Sequence, residues 1–301
     1  MSWGGTLVAA ALATVAHPRW WVLALAGFLV RGGIVLVLLP MIVPPTVAGV
    51  MSLVAPTVVG QVLIGGPNTP VALVTAGFAL ALILFAWIAG TLGAFFDAAL
   101  VREAIVDDEL GLDRAPIEPD PPGLGTARLG PHVLTAVVFA VAAAEIVQVV
   151  YDQATSPSAP ATPFVERVVS QTPLQIAALA IAVVVAEAVG GLALRAELLD
   201  PAVAIAGVPR ALARGIRRFL RPVSLATVVV TTGVVLVVGL PGAVATGRAW
   251  GQVRLLFTTP SDAASLAIVL VLFVAVAMGW LTLVGVALAW RSAVWTAVDA
   301  R

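Results

Sequence analysis

The stretch Arg217-Arg218-Phe219-Leu220-Arg221-Pro222, followed by Val223-Ser-Leu-Ala-Thr-Val-Val-Val-Thr-Thr-Gly-Val-Val-Leu-Val-Val-Gly-Leu-Pro-Gly242, decides the fold. Three arginines stand just before a proline, and no charged residue follows until Arg248. A bilayer core about 30 Å thick takes roughly 20 predominantly apolar residues as a helix. The run therefore reads as a membrane-spanning helix that starts at Pro222, where a missing amide hydrogen had no partner to lose, with its basic end held at one surface.

Working outward, five more segments have the same character, so the candidate spans are about 20–41, 71–96, 132–151, 174–195, 223–242 and 264–290. The whole composition agrees. Hydrophobic residues make up 61% of the 301 positions and charged residues 11%, against about 25% charged in an ordinary soluble domain. Sixteen basic residues, every one arginine, balance sixteen acidic ones, and the chain has neither lysine nor cysteine. That excludes a lysine Schiff base, a P-loop, a thiol nucleophile, a disulfide framework and cysteine-ligated metal. With only His17 and His132, a multi-histidine metal site is nearly excluded as well. No catalytic residue, cofactor or metal is expected.

Arginine placement sets the orientation. With six spans and a cytoplasmic N-terminus, twelve arginines fall on the cytoplasmic side, Arg167, Arg248 and Arg254 fall outside, and Arg31 lies within the first span. This is the bias of the positive-inside rule. A seventh apolar stretch, 46–64, would as a span invert everything after it and export the five arginines before Pro222. It is therefore read as an interfacial or re-entrant piece on the outer face. The first 19 residues lack the basic leader of a signal peptide and are expected to remain in the mature chain.

The spans start in alternation. Pro18, Pro131 and Pro222 precede the odd spans, and Thr69-Pro70, Thr172-Pro173 and Thr259-Pro260 precede the even ones. Threonine caps a helix N-terminus and proline suits the first helical position. Short apolar runs beginning at Gln61, Arg167 and Arg254 come before the Thr-Pro pairs and suggest short helices at the outer surface, and Leu39-Pro40 and Leu240-Pro241 close the first and fifth spans. The expectation is an all-α polytopic bundle, a single integral membrane domain over 1–301. It comprises hairpin 1 (about 18–102), an acidic Pro/Gly-rich cytoplasmic loop (103–130), hairpin 2 (about 131–195), an amphipathic interfacial helix (about 201–221) and hairpin 3 (about 222–295). Ala89 with Gly93, Ala186 with Gly190, and Ala275 with Gly279 are small-xxx-small pairs of the kind that let membrane helices pack closely.

Two connections and four intramembrane charges hold the remaining information. At 100° per residue, Arg210, Arg214, Arg217, Arg218 and Arg221 share one face of 201–221, opposite Val208, Leu212, Ile216, Phe219 and Leu220. This is the pattern of a helix lying in the membrane surface with arginines toward anionic headgroups. The loop after Arg102, with Asp107, Asp108, Glu109 and Asp113, has the charge to hold a divalent cation but fits no prenyl-diphosphate or CDP-alcohol pattern, and reads as solvated and flexible. Inside the membrane a charge asks for a partner. At 1.5 Å per residue, Arg31 and Glu145 reach similar depth, Glu187 sits shallower within an arginine's reach, and Asp97 lies near the cytoplasmic edge. Arg31 is expected to pair with Glu145 or Glu187, either as a polar path for a proton, ion or substrate, or as an ion pair fixing helix register.

His17-Pro18-Arg19 before the first span, and Arg217 through Pro222 before the fifth, with the hairpin layout, resemble six-helix bacterial membrane proteins of the glycerophosphoryl diester phosphodiesterase membrane-domain type. The catalytic domain of such proteins has no counterpart here, so the resemblance implies an accessory envelope role in the bacterial plasma membrane, both termini cytoplasmic. Partners are then the lipid bilayer with anionic headgroups and further membrane subunits, not nucleic acid. A transporter permease is the second reading; the stretch around Gly207 only approaches the ATPase-coupling pattern of one importer class. An intramembrane enzyme ranks third, because both histidines sit at the interface.

Overall fold

The computed structural model describes residues 2–38, 69–107, 110–112, 123–155, 168, 170–258 and 263–300, and the described residues fold into helices. In chain order these are α1 (Trp3–Ala16), α2 (Pro18–Phe28), a π-turn (Leu29–Gly33), α3 (Ile34–Leu38), α4 (Thr69–Ile105), α5 (Leu124–Leu129), α6 (His132–Thr155), α7 (Pro173–Leu199), α8 (Pro201–Ala206), α9 (Val208–Phe219), α10 (Pro222–Thr258) and α11 (Ala263–Asp299). Among the described residues, four stretches are long and apolar enough to cross a membrane: Leu124–Ala142, Pro173–Leu199, Pro222–Phe257 and Ala263–Asp299. A fifth is added if Trp3–Ala16 and Pro18–Gly33, bent by 96°, count as one. The segment 46–64, Leu39-Pro40, Thr259-Pro260, the run at Gln61, Arg167, and Asp108, Glu109 and Asp113 lie outside the described residues.

Several local expectations change. Leu240-Pro241 does not end its helix: α10 runs through Pro241 to Thr258 and absorbs the apolar run from Arg254, so no separate short helix forms there. Thr172 precedes α7, and its hydroxyl donates back to the Val168 carbonyl at 2.8 Å. The first span is broken, because Arg31 (φ −75°, ψ 16°) and Gly32 (φ +101°, ψ 0°) leave helical geometry. Only glycine adopts that second conformation without strain. The basic segment 201–221 is two helices, not one, parted at Gly207 with φ +73°. Asp200 starts the first by accepting from the Ala202 amide at 3.1 Å.

The chain divides into two compact units, one of Met1–Ile42, Ala89–Pro131 and Glu187–Arg301, the other of Val43–Ile88 and His132–Ala186. In the first unit, α10 and α11 pack along their length, tied by Trp280 Nε1 to the Gly239 carbonyl at 3.0 Å and Trp295 Nε1 to Thr231 Oγ1 at 2.9 Å. Trp3 reaches Thr227 on α10 at 3.0 Å, and Trp290 donates to the Leu7 carbonyl at 3.1 Å, so α1 is fixed to both. Indole donors and threonines that bond back to their own helices, such as Thr14, Thr227 and Thr296, keep polar groups satisfied where water is scarce. Burial in this unit is uneven. Residues 188–199 of α7 are all buried, and α11 is buried from Val284 through much of its length to Ala297, while Val271, Leu272 and Val276 farther up α11 are exposed.

Candidate functional site

Where the buried helix ends converge, four arginines and two carboxylates meet. Arg31 stands at the broken turn, Asp97 on α4, Arg128 at the end of α5, Glu187 and Arg195 on α7, and Arg291 on α11. Arg31 Nη1 binds Asp97 Oδ2 at 2.5 Å, and Arg128 Nε donates to the same oxygen at 2.9 Å. Arg128 Nη2 pairs with Glu187 Oε2. Arg31 and Arg291 flank Glu187 more loosely, at 4.0 and 3.9 Å. Arg128 is the hub, joining both carboxylates with a guanidinium only 3% exposed.

Arg195 is equally buried and, among the described residues, has no carboxylate of its own. Its donors go to Thr296 Oγ1 at 3.1 Å, the Gly191 carbonyl at 3.0 Å, and the carbonyl and hydroxyl of Ser292 at 3.0 and 2.7 Å. The Arg195 and Arg291 guanidinium carbons lie 5.6 and 5.1 Å from the Trp295 ring, within cation–π range. A cavity of about 30 Å³ opens among Arg31, Asp97, Arg128, Arg195, Arg291 and Ser292. The arrangement cross-links neighbouring helices and presents a positive interior; among the described residues it pairs no nucleophile with a base.

The expected site residues divide. Arg31, Glu187 and Asp97 come together, and Asp97 is a partly buried partner of two arginines. Glu145 lies on α6, in the second unit, and is exposed; the carboxylates that meet Arg31 are Asp97 and Glu187. The depth ruler assumed a straight first helix, and the helix breaks at the residue being measured. Arg128, Arg195 and Arg291 enter the sequence reading only through the cytoplasmic arginine count. The signal for them lay in the glycines beside the acids. A Cβ on Gly93, four residues before Asp97, would meet Arg31 Cγ at 2.5 Å, and one on Gly190, three after Glu187, would strike the Arg128 main chain. Gly279, in the third small-residue pair, faces open space. The stretch read as a flexible loop holds α5, whose Leu124, Ala127 and Arg128 are buried.

The second candidate is the basic face of α8 and α9. Arg210, Arg214, Arg217 and Arg221 are exposed. Arg218, expected among them, is instead buried and paired with Asp299 at the end of α11. Burial pulls its guanidinium below its ordinary value and Asp299 opposes the shift. The reason is geometric: Ala211, Gly215 and Arg218 form the packed stripe of α9, and a Cβ on Gly215 would meet the Val189 carbonyl at 2.8 Å. An arc of arginines wide enough to hold five residues reaches from the exposed face into this seam. Arg210, Arg214 and Arg217, with Asp200, line an open groove of about 690 Å³. Asp200 pairs with Arg214 at 3.1 Å.

Long apolar helices whose converging ends bury an arginine–carboxylate network place the chain in the class of helical membrane proteins. Compared with protein-family models, curated proteins and solved structures, it matches none.

Proposed function

We propose that the protein is a non-catalytic integral membrane component of the bacterial cell envelope, with six spans and both termini cytoplasmic, that holds to anionic phospholipid through α9 and serves as an accessory to a membrane complex. The observation that carries the reading is the groove in which Arg210, Arg214 and Arg217 converge, with Arg221 exposed just beyond. Only Arg214 has a carboxylate partner there; Arg217 and Arg221 have no ion pair among the described residues. Each free arginine near an anionic surface is worth about 1 kcal/mol, so three favour a negatively charged headgroup over a neutral one by roughly a hundredfold. The layout-level resemblance to six-helix envelope proteins supports the same reading. The tight pairing of Arg31 supports the structural role of the intramembrane charges over a transport path.

The test is the thermal midpoint of the purified chain in neutral detergent, titrated with phosphatidylglycerol or phosphatidylcholine. Only the anionic lipid is expected to stabilise, and replacing Arg210, Arg214, Arg217 and Arg221 together by glutamine is expected to abolish the difference. A variant that responds like the wild type overturns the reading. A reporter fused after Arg221 tests the orientation independently; export of the reporter refutes it.

A further inference from the structure

We propose that the cavity between Arg31, Arg128, Arg195 and Arg291 is a binding site for one small inorganic anion of chloride size. Among the described residues the network holds four guanidiniums against Asp97 and Glu187, an excess of two positive charges. Of its ionised groups, the four arginines and Asp97 line the cavity itself. Charge left uncompensated in a buried site is strongly disfavoured, and two of these arginines are poorly compensated. Arg195 is hydrogen-bonded only to neutral oxygens, and Arg291 reaches Glu187 no closer than 3.9 Å.

The size points the same way. A cavity of about 30 Å³ exceeds the roughly 10–15 Å³ that a single water needs, so a monatomic anion fits. Water would fit but would bring no charge. Arg31, which lines this cavity, stands at the break in its helix. The site is separate from the α8–α9 groove, whose lining shares no residue with it.

Equilibrium dialysis of radiolabelled chloride against the purified full chain, at fixed ionic strength with gluconate as the balancing salt, tests the assignment directly. Saturable binding is expected, with a thermal midpoint that rises over the same titration. Arg291→Gln should weaken binding at least about tenfold, the lower end of what one charge-assisted hydrogen bond contributes. The combined Arg210, Arg214 and Arg217 to glutamine variant should bind chloride like the wild type. If Arg291→Gln fails to fold, Ser292→Ala keeps every charge, removes a lining hydroxyl, and is expected to weaken binding by a smaller factor. Absence of saturable chloride binding by folded wild-type protein overturns the proposal. So does stabilisation by sulfate or phosphate but not by chloride, which would assign a larger site, or by phosphatidylglycerol alone, which would assign the anion chemistry to lipid.

Discussion

Replacing Arg128 by methionine is the sharpest perturbation of the network. The side chain keeps its apolar length and loses the two bonds that make Arg128 the hub, to Asp97 Oδ2 at 2.9 Å and to Glu187. Removing one partner of a buried ion pair costs about 3–5 kcal/mol, because the other charge stays behind uncompensated. Here the lower end applies. Asp97 keeps Arg31 at 2.5 Å, whereas Glu187 keeps only contacts of 4.0 and 3.9 Å. A loss of about 3 kcal/mol corresponds to a midpoint drop of roughly 6 °C or more for a chain of this size. Arg291→Met is the internal control. It gives up a loose contact and a stacked indole, so about 1 kcal/mol is expected. The assay is the unfolding midpoint of both purified variants in one detergent, followed by tryptophan fluorescence. Adding Glu187→Met to Arg128→Met should restore part of the loss, since neither charge is then stranded. Equal costs for the two arginines, or no recovery in the double variant, would refute the hub.

Three further outcomes follow from the same structure. Gly32→Ala forces a side chain onto a backbone at φ +101° and should cost about 1–2 kcal/mol, read as a lower midpoint. Gly190→Ala should be poorly tolerated, since its Cβ meets the Arg128 main chain, whereas Gly279→Ala meets nothing and should leave the midpoint unchanged within about 0.5 kcal/mol; a reversed order would contradict the packing. Glu197 is buried, and neither of its carboxylate oxygens has a hydrogen-bond partner among the described residues. Glu197→Gln should therefore leave the midpoint unchanged or raise it, while Glu187→Gln, ten residues earlier on the same helix, should lower it by about 2 kcal/mol.

The apolar runs were legible because their length is dictated by the bilayer, and helix starts at Pro18, Pro173 and Pro222 fall where the proline pattern puts them. Pairing was less legible. Depth counted in residues is meaningful along a straight helix, and Arg31 sits on a break that Gly32 and Gly33 made available. Arg128 was out of reach for another reason. It ends a Pro- and Gly-rich polar stretch, and nothing local marks a six-residue helix there. The arc of arginines on 208–221 was visible, but a helical wheel cannot tell which edge of a face packs. Gly215 is the residue that could have marked the seam, and with it the burial of Arg218.

The arginines that orient the chain in a count of charges are therefore of two kinds. Arg128, Arg195 and Arg218 are buried, and with Arg31 and Arg291 they bind neighbouring helix ends. Arg210, Arg214, Arg217 and Arg221 are exposed and remain available to a headgroup. The division follows from the solvent. Between helices in lipid there is no hydrophobic force, since a leucine gains little by leaving one apolar surface for another. The exposed apolar parts of α10 and α11 suit that surroundings and specify no partner. Charged hydrogen bonds do specify one, and the network brings together α4, α5, α7, α11 and the broken turn after α2. Removing the exposed arginines should then change lipid response and orientation with little effect on folding, and removing the buried ones should do the reverse.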